Sequence, residues 1–181
     1  MTVEIEAKLK VDSTEEIEGR LTRLDAEFLQ EQLQKDYYFD NADANLIKTD
    51  RCIRLRRQIT KKQEKIFLTY KGPKEKDKFK KRQEIEIELA DADSTRRLLL
   101  ALGYEQVLEF EKKRRIWQLG NCVVALDHLP LLGSFVEIEG PDDKSIVDLQ
   151  KSLGLADLPH IPQGYAVLVA ERFRQKSLEL H

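Results

Sequence analysis

The sequence is poor in the residues that most often announce a site. It holds two cysteines, Cys52 and Cys122, and three histidines in 181 residues. Two cysteines without framework spacing make no disulfide scaffold, and they read as reduced thiols of a cytosolic protein. Thiolate zinc chemistry needs more ligands than these cysteines and scattered histidines provide. No apolar run approaches the roughly 20 residues of a membrane span. Val3 and Ile5 alternate with glutamates, so the start does not read as a signal peptide. An excess of charge of one sign is also missing: 31 basic residues stand against 33 acidic ones. Net charge therefore points to neither nucleic acid nor an anionic membrane surface.

What the chain has in abundance is charge of both signs on alternating residues. Residues 2–11 alternate Val3, Ile5, Ala7 and Leu9 with Glu4, Glu6, Lys8 and Lys10, which is the period of a strand. Asp12-Ser13 then predicts a helix to about Leu29. Strands are predicted at 33–40, 51–59, 65–71, 82–89, 107–118, 121–128 and 134–139. The lysine-rich stretch Gly72–Lys81 reads as a flexible loop that could act as a lid. Helices are predicted from Asp93-Ser94 to Gly103, from Pro141–Asp143 to about Leu153, and from Gly164 to about Gln175. Residues 1–176 read as one domain, with a short tail at 177–181. The fold class is α+β dominated by β, with antiparallel pairing.

A solvated strand face needs only polarity, and Thr, Ser or Gln would supply it. Here Arg54 and Arg56 share a face, as do Arg82, Glu84 and Glu86, then Lys112 and Arg114, then Glu137 and Glu139. Arginine matches phosphate oxygens bidentately. A closed barrel with helices outside would gather these faces into a charged lumen. Carboxylates there would recruit a hard cation, Mg2+ or Mn2+, and the basic groups an anion. Together they suit a metal–polyphosphate complex. His128 lies opposite Asp127 in strand phase, so a structural role is favoured over general base. His160 reads as a loop residue. Trp117 and Tyr37-Tyr38 read as packing residues.

These residues resemble the CYTH family, the triphosphate tunnel metalloenzymes. The resemblance rests on Glu4-Ile-Glu6-Ala-Lys8, Arg54-Leu-Arg56, Lys71-Gly72-Pro73, Arg82-Gln-Glu84-Ile-Glu86, Glu111-Lys112-Lys-Arg114, Asp127 and Glu137-Ile-Glu139, in that order. It implies an eight-stranded antiparallel closed barrel that binds triphosphate and divalent metal. The stretch Asp127–Ile138 is most similar to class IV adenylate cyclases, although Gly164-Tyr165 stands where that branch often has Ser-Tyr. By motif position, Glu4, Glu6, Asp127, Glu137 and Glu139 would serve the metals. Lys8, Arg54, Arg56, Lys71, Arg82, Lys112 and Arg114 would hold the phosphates. Glu84 and Glu86 would orient the basic groups, and Glu6, Lys8, Arg114 and Asp127 would carry the chemistry. The implied activity is conversion of ATP to cyclic AMP and pyrophosphate. The alternative is hydrolysis of tripolyphosphate, thiamine triphosphate or a nucleoside triphosphate. Neither a nucleic acid nor a membrane partner is implied, and a homodimer is compatible with this reading.

Overall fold

Residues 2–74 and 79–179 are described in the computed structural model, apart from the side chains at 2–4, 80 and 179. The chain order is β1 (Thr2–Val11), α1 (Thr14–Arg23), β2 (Glu27–Asn41), a single-turn α2 (Asn45–Lys48), β3 (Cys52–Ile59) and β4 (Glu64–Lys74). It continues with β5 (Lys80–Leu89), α3 (Ala92–Ala101), β6 (Tyr104–Leu119), β7 (Cys122–Leu129), β8 (Gly133–Glu139), α4 (Asp143–Ser152) and α5 (Tyr165–Glu179). The strands close into one barrel in the order β1-β5-β4-β3-β2-β6-β7-β8. Every neighbouring pair is antiparallel. Closure follows from the sequence, because no strand has to leave an unpaired edge in water.

Alternation gives each strand two faces, and the outer ones pack under helices. Leu9, Val124, Leu126, Val136 and Ile138 are buried beneath Ile17 and Leu21 of α1 and Ile146 and Leu149 of α4. On the far side Phe39 and Leu55 pack against Ala92 and Leu99 of α3. Burying such side chains stabilises the fold by roughly 1.5–3 kcal/mol each, and it leaves the inner faces to polar groups.

The fold matches the expectation of an eight-stranded antiparallel barrel, with differences at element ends. The first helix stops at Arg23 instead of Leu29. Ala26 N–H reaches Leu21 C=O (3.0 Å) and Asp25 N–H reaches Thr22 C=O (3.1 Å), the two bonds of a Schellman ending. Asp25 takes the left-handed conformation there, at φ 56°. Phe28, expected on the helix, instead meets Trp117 edge-on at 5.1 Å across the β2–β6 pair. The stretch expected as a flexible loop is largely ordered strand and core. β4 runs to Lys74, β5 starts at Lys80, and Phe79 is buried against the His160 ring at 5.1 Å. Residues 75–78 of that stretch lie outside the described residues. Helix α5 continues past residue 176 to Glu179. No described helix is long and apolar enough to cross a membrane.

Candidate active site

The inner faces collect charge of both signs. Lys8, Gln32, Gln34, Asp36, Arg54, Arg56, Thr69, Arg82, Glu84, Lys112, Asp127 and Glu137 are all buried. Apart from Asp40 and Gln150, they are the buried polar or charged side chains among the described residues. Register explains the convergence: Lys8 pairs with Glu137, Arg114 with Asp127, Asp36 with Arg56, Lys71 with Glu84 and Arg54 with Thr69. Strand phase therefore places an acid beside most bases.

The densest cluster surrounds Arg114. Its Nε donates to Asp127 Oδ1 at 2.7 Å and its Nη2 to Asp127 Oδ2 at 2.5 Å, and it also pairs with Glu137. Lys112 Nζ donates to the same carboxylate at 3.0 Å, and Lys8 Nζ lies 3.3 Å from Glu137. Burial pushes the Asp127 carboxyl up, but Arg114 and Lys112 outweigh it and hold the pKa below the ordinary value. Both Asp127 oxygens are thus engaged by basic groups.

A second cluster joins Arg56 and Asp36 through a bidentate pair of 2.6 and 2.7 Å. A third holds Arg54 on Thr69 (3.0 Å) and Glu86 (3.3 Å), with Thr69 also donating to Glu86 at 2.7 Å. Lys71 pairs with Glu84. Arg82 is placed differently. It donates to the carbonyls of Gly72 (2.9 Å) and Asp50 (3.0 Å), and so ties the β4–β5 connection to the segment before β3.

The acidic side of the lumen centres on Glu139. Glu139 reaches solvent at the rim, yet partial desolvation raises its carboxyl, and Glu6, Glu137 and Glu84 add negative potential that Arg114 partly offsets. Glu6 and Glu139 face each other across the β1–β8 register. Among the described residues no three ligating side chains form a ready-made metal cage. The Glu4 side chain lies outside the described residues, although its backbone pairs with Arg82. An oxygen-only donor set under like-charge pressure fits a hard divalent cation, which would relieve that repulsion.

Sequence reasoning missed the β2 contribution. Gln32, Gln34 and Asp36 form an alternating polar face that ends in a carboxyl held below its ordinary value by Arg56 against the effect of burial, and that alternation was readable. Thr69 and Tyr165 carried no comparable signal. His128 lies off the lumen as expected, exposed and 3.3 Å from Ser134 Oγ. His160 contacts Gln150 at 2.9 Å and bridges to Leu9 in the wall packing.

Lys112 supplies a pH signature. Burial, then the like charge of Arg114, brings its pKa down to about 7 against the pull of Asp127 and Glu137. A bound polyanion favours the ammonium, so the pKa rises in the complex. Affinity is then greatest below pH 7 and falls as pH rises, by at most about tenfold per unit. Calorimetry of tripolyphosphate in buffers of different ionisation enthalpy should detect proton uptake at pH 8. Lys112→Arg, which stays charged, should abolish that uptake.

A family model described as the CYTH domain matches residues 2–165. A Methanocaldococcus jannaschii protein named provisionally as an adenylate cyclase is 30% identical over 179 residues, covering 98% of both chains. Adenylate cyclase CyaB of Aeromonas hydrophila is 29% identical, covering 91% of this chain and 87% of that protein. The solved PH1819 protein of Pyrococcus horikoshii superposes with a TM-score of 0.79 at 30% identity, covering 93% of this chain and 99% of that one.

Proposed function

The chain belongs to the CYTH family, and from that premise we propose that it is a divalent-cation-dependent adenylate cyclase. The observation that carries the reading is the lumen itself. Six basic side chains gather on the inner faces, Lys8, Arg54, Arg56, Lys71, Lys112 and Arg114, and a carboxylate stands beside each of them. A simple anion trap gains nothing from those carboxylates, whereas a metal–triphosphate complex uses both sets. Phosphate oxygens would replace Asp127 and Glu137 as partners of Lys8, Lys112 and Arg114. The released acids, with Glu4, Glu6 and Glu139, would hold Mg2+ or Mn2+. Glu84 and Glu86 would keep Lys71 and Arg54 aimed at phosphate. Such an exchange keeps every buried charge paired before and after binding.

In the reaction the ribose 3′ oxygen attacks the α-phosphorus while its proton passes to the Glu6–Glu139 carboxylate pair. The bond from the α-phosphorus to the bridging oxygen breaks, and pyrophosphate keeps the electron pair. Lys112 and Arg114 stabilise the charge that grows on that leaving group. A divalent cation held by Glu4, Glu6 and Glu139 would supply charge neutralisation and favour loss of the proton from a nearby hydroxyl. Positioning in a dry, preorganised lumen provides the rest.

The products formed from ATP test the reading. Cyclic AMP and pyrophosphate are expected in equal amounts, with turnover abolished by exhaustive chelation and restored by Mg2+ or Mn2+. ADP and phosphate as products would replace the cyclase with a triphosphatase. Undiminished turnover after chelation would remove the metal from the mechanism.

A further inference from the structure

The two ends of the tunnel are unlike. At one end the lumen-facing Glu86, Glu88 and Glu139 are exposed. At the other, where β7 turns into β8, residues in lumen phase become apolar. Leu129 and Phe135 pack there against Tyr165 and Val169 of α5, with Leu108 and Phe110 beside them. The segment before α5 is fastened to the wall, because Ile161 N–H donates to Lys8 C=O at 2.8 Å and Lys8 Nζ to Gln163 C=O at 3.0 Å. The Tyr165 ring lies 3.9 Å from Lys8 Nζ and 4.4 Å from Lys112 Nζ, and it meets Phe135 edge-on at 5.3 Å. Tyr165 is only 7% exposed, and its hydroxyl lies beside the Asp127 carboxylate without a well-directed hydrogen bond among the described residues.

A residue present only for packing has no use for that hydroxyl. Burying it without a well-directed bond costs stability, and Phe would fill the same space without that cost.

We propose that Tyr165 is the end wall of a one-mouthed phosphate tunnel, so that this enzyme accepts only triphosphates whose terminal phosphate is unesterified. That phosphate stops against the Tyr165 ring between Lys8 and Lys112 and takes a hydrogen bond from the Tyr165 hydroxyl. The organic group then lies toward the open, acidic mouth. Under the cyclase reading, on which this inference rests, pyrophosphate lies deeper than the cyclic nucleotide and leaves after it.

The test is a ladder of ligands bound to the wild-type protein with magnesium: tripolyphosphate, its monomethyl ester and its P1,P3-dimethyl ester. The monomethyl ester keeps one free end, so the first methyl should weaken binding by no more than about threefold. The second methyl has to enter the wall and should cost about thirtyfold or more, the scale on which a filled site rejects one extra carbon. Tyr165→Ala should reduce the second step to the size of the first. Tyr165→Phe should leave the first step unchanged, while weakening both free-ended ligands by about tenfold or more through loss of a hydrogen bond to a charged group, and the second step shrinks by the same factor. Two equal steps in the wild type would overturn the end wall, and so would an undiminished second step in folded Tyr165→Ala. The wild-type ladder decides the matter even if that variant does not fold. Failure of tripolyphosphate itself to bind is a different result, and it would overturn the phosphate-binding lumen and the wall together.

Discussion

Glu6→Gln should lower turnover by about 100- to 1000-fold, the usual scale for removing one preorganised charge interaction from a reaction centre. The substitution keeps the shape of the side chain and removes one negative charge. Glu6 faces Glu139 across the β1–β8 register, and its charge is the largest electrostatic contribution to the raised Glu139 carboxyl. A carboxyl whose native pKa lies above its unfolded value costs stability once it ionises, so stability falls as pH rises through that window. Neutralising Glu6 relieves Glu139, and the melting temperature at pH 7 should stay level or rise. Lost activity with preserved stability separates a functional charge from a structural one. The cation concentration giving half-maximal turnover should also increase, because one hard oxygen ligand is weakened. Glu111→Gln is the control. Glu111 lies on the outer face of β6, 3.9 Å from Lys35, and its loss should change turnover by less than about twofold, as befits a surface ion pair. Normal turnover in Glu6→Gln would show that the carboxylate pair does not serve the metal.

The barrel was legible because strand period and charge coincide. On β1, β3, β5 and β8 charged residues recur at every second position, as Glu4-Glu6-Lys8, Arg54-Arg56, Arg82-Glu84-Glu86 and Glu137-Glu139, so the inner face could be read one strand at a time. Lys112, Arg114 and Asp127 were legible for the same reason. The start of β2 was not, because Ala26, Phe28 and Leu29 also fit the helical period of the preceding residues. A backbone turn at Asp25, whose side chain does not advertise a left-handed conformation as glycine would, ends the helix earlier. Phe79 was hidden by lysine-rich neighbours. Its burial depends on the 155–161 segment folding back more than 70 residues later, which no local pattern encodes. Tyr165 was obscured similarly, since a tyrosine opening a helix looks the same whether it faces solvent or two lysines.

Asp36 and Arg56 should behave as a coupled unit whose single members cannot be removed cheaply. Asp36 is 2% exposed and Arg56 9%, and two hydrogen bonds of 2.6 and 2.7 Å join them. Removing one partner of such a buried pair costs about 3–5 kcal/mol, because the other charge stays behind without compensation. Asp36→Ala should therefore lower the melting temperature by about 6–20 °C for a chain of this size. Burial alone would raise the Asp36 carboxyl, but the charge and hydrogen bonds of Arg56 hold it far below its ordinary value. Its contribution to stability is complete above the unfolded pKa of about 3.9 and is lost as pH falls toward the native one. The Asp36→Asn protein should consequently lose less stability than wild type between pH 5 and pH 2. Function separates the two members further. The Asp36 pair occupies Nε and Nη2 of Arg56, which leaves Nη1 for a phosphate oxygen. Arg56→Ala should weaken tripolyphosphate binding by about ten- to a hundredfold, and Arg56→Lys should recover only part of that because the planar fork is lost. In the double variant Asp36→Leu/Arg56→Met, packing replaces the ion pair, so stability should return close to wild type while tripolyphosphate affinity stays low. Denaturant melts and calorimetry on the wild type, both single variants and the double variant give the full cycle. Recovery of affinity together with stability in the double variant would mean that Arg56 holds the barrel together and does not touch phosphate.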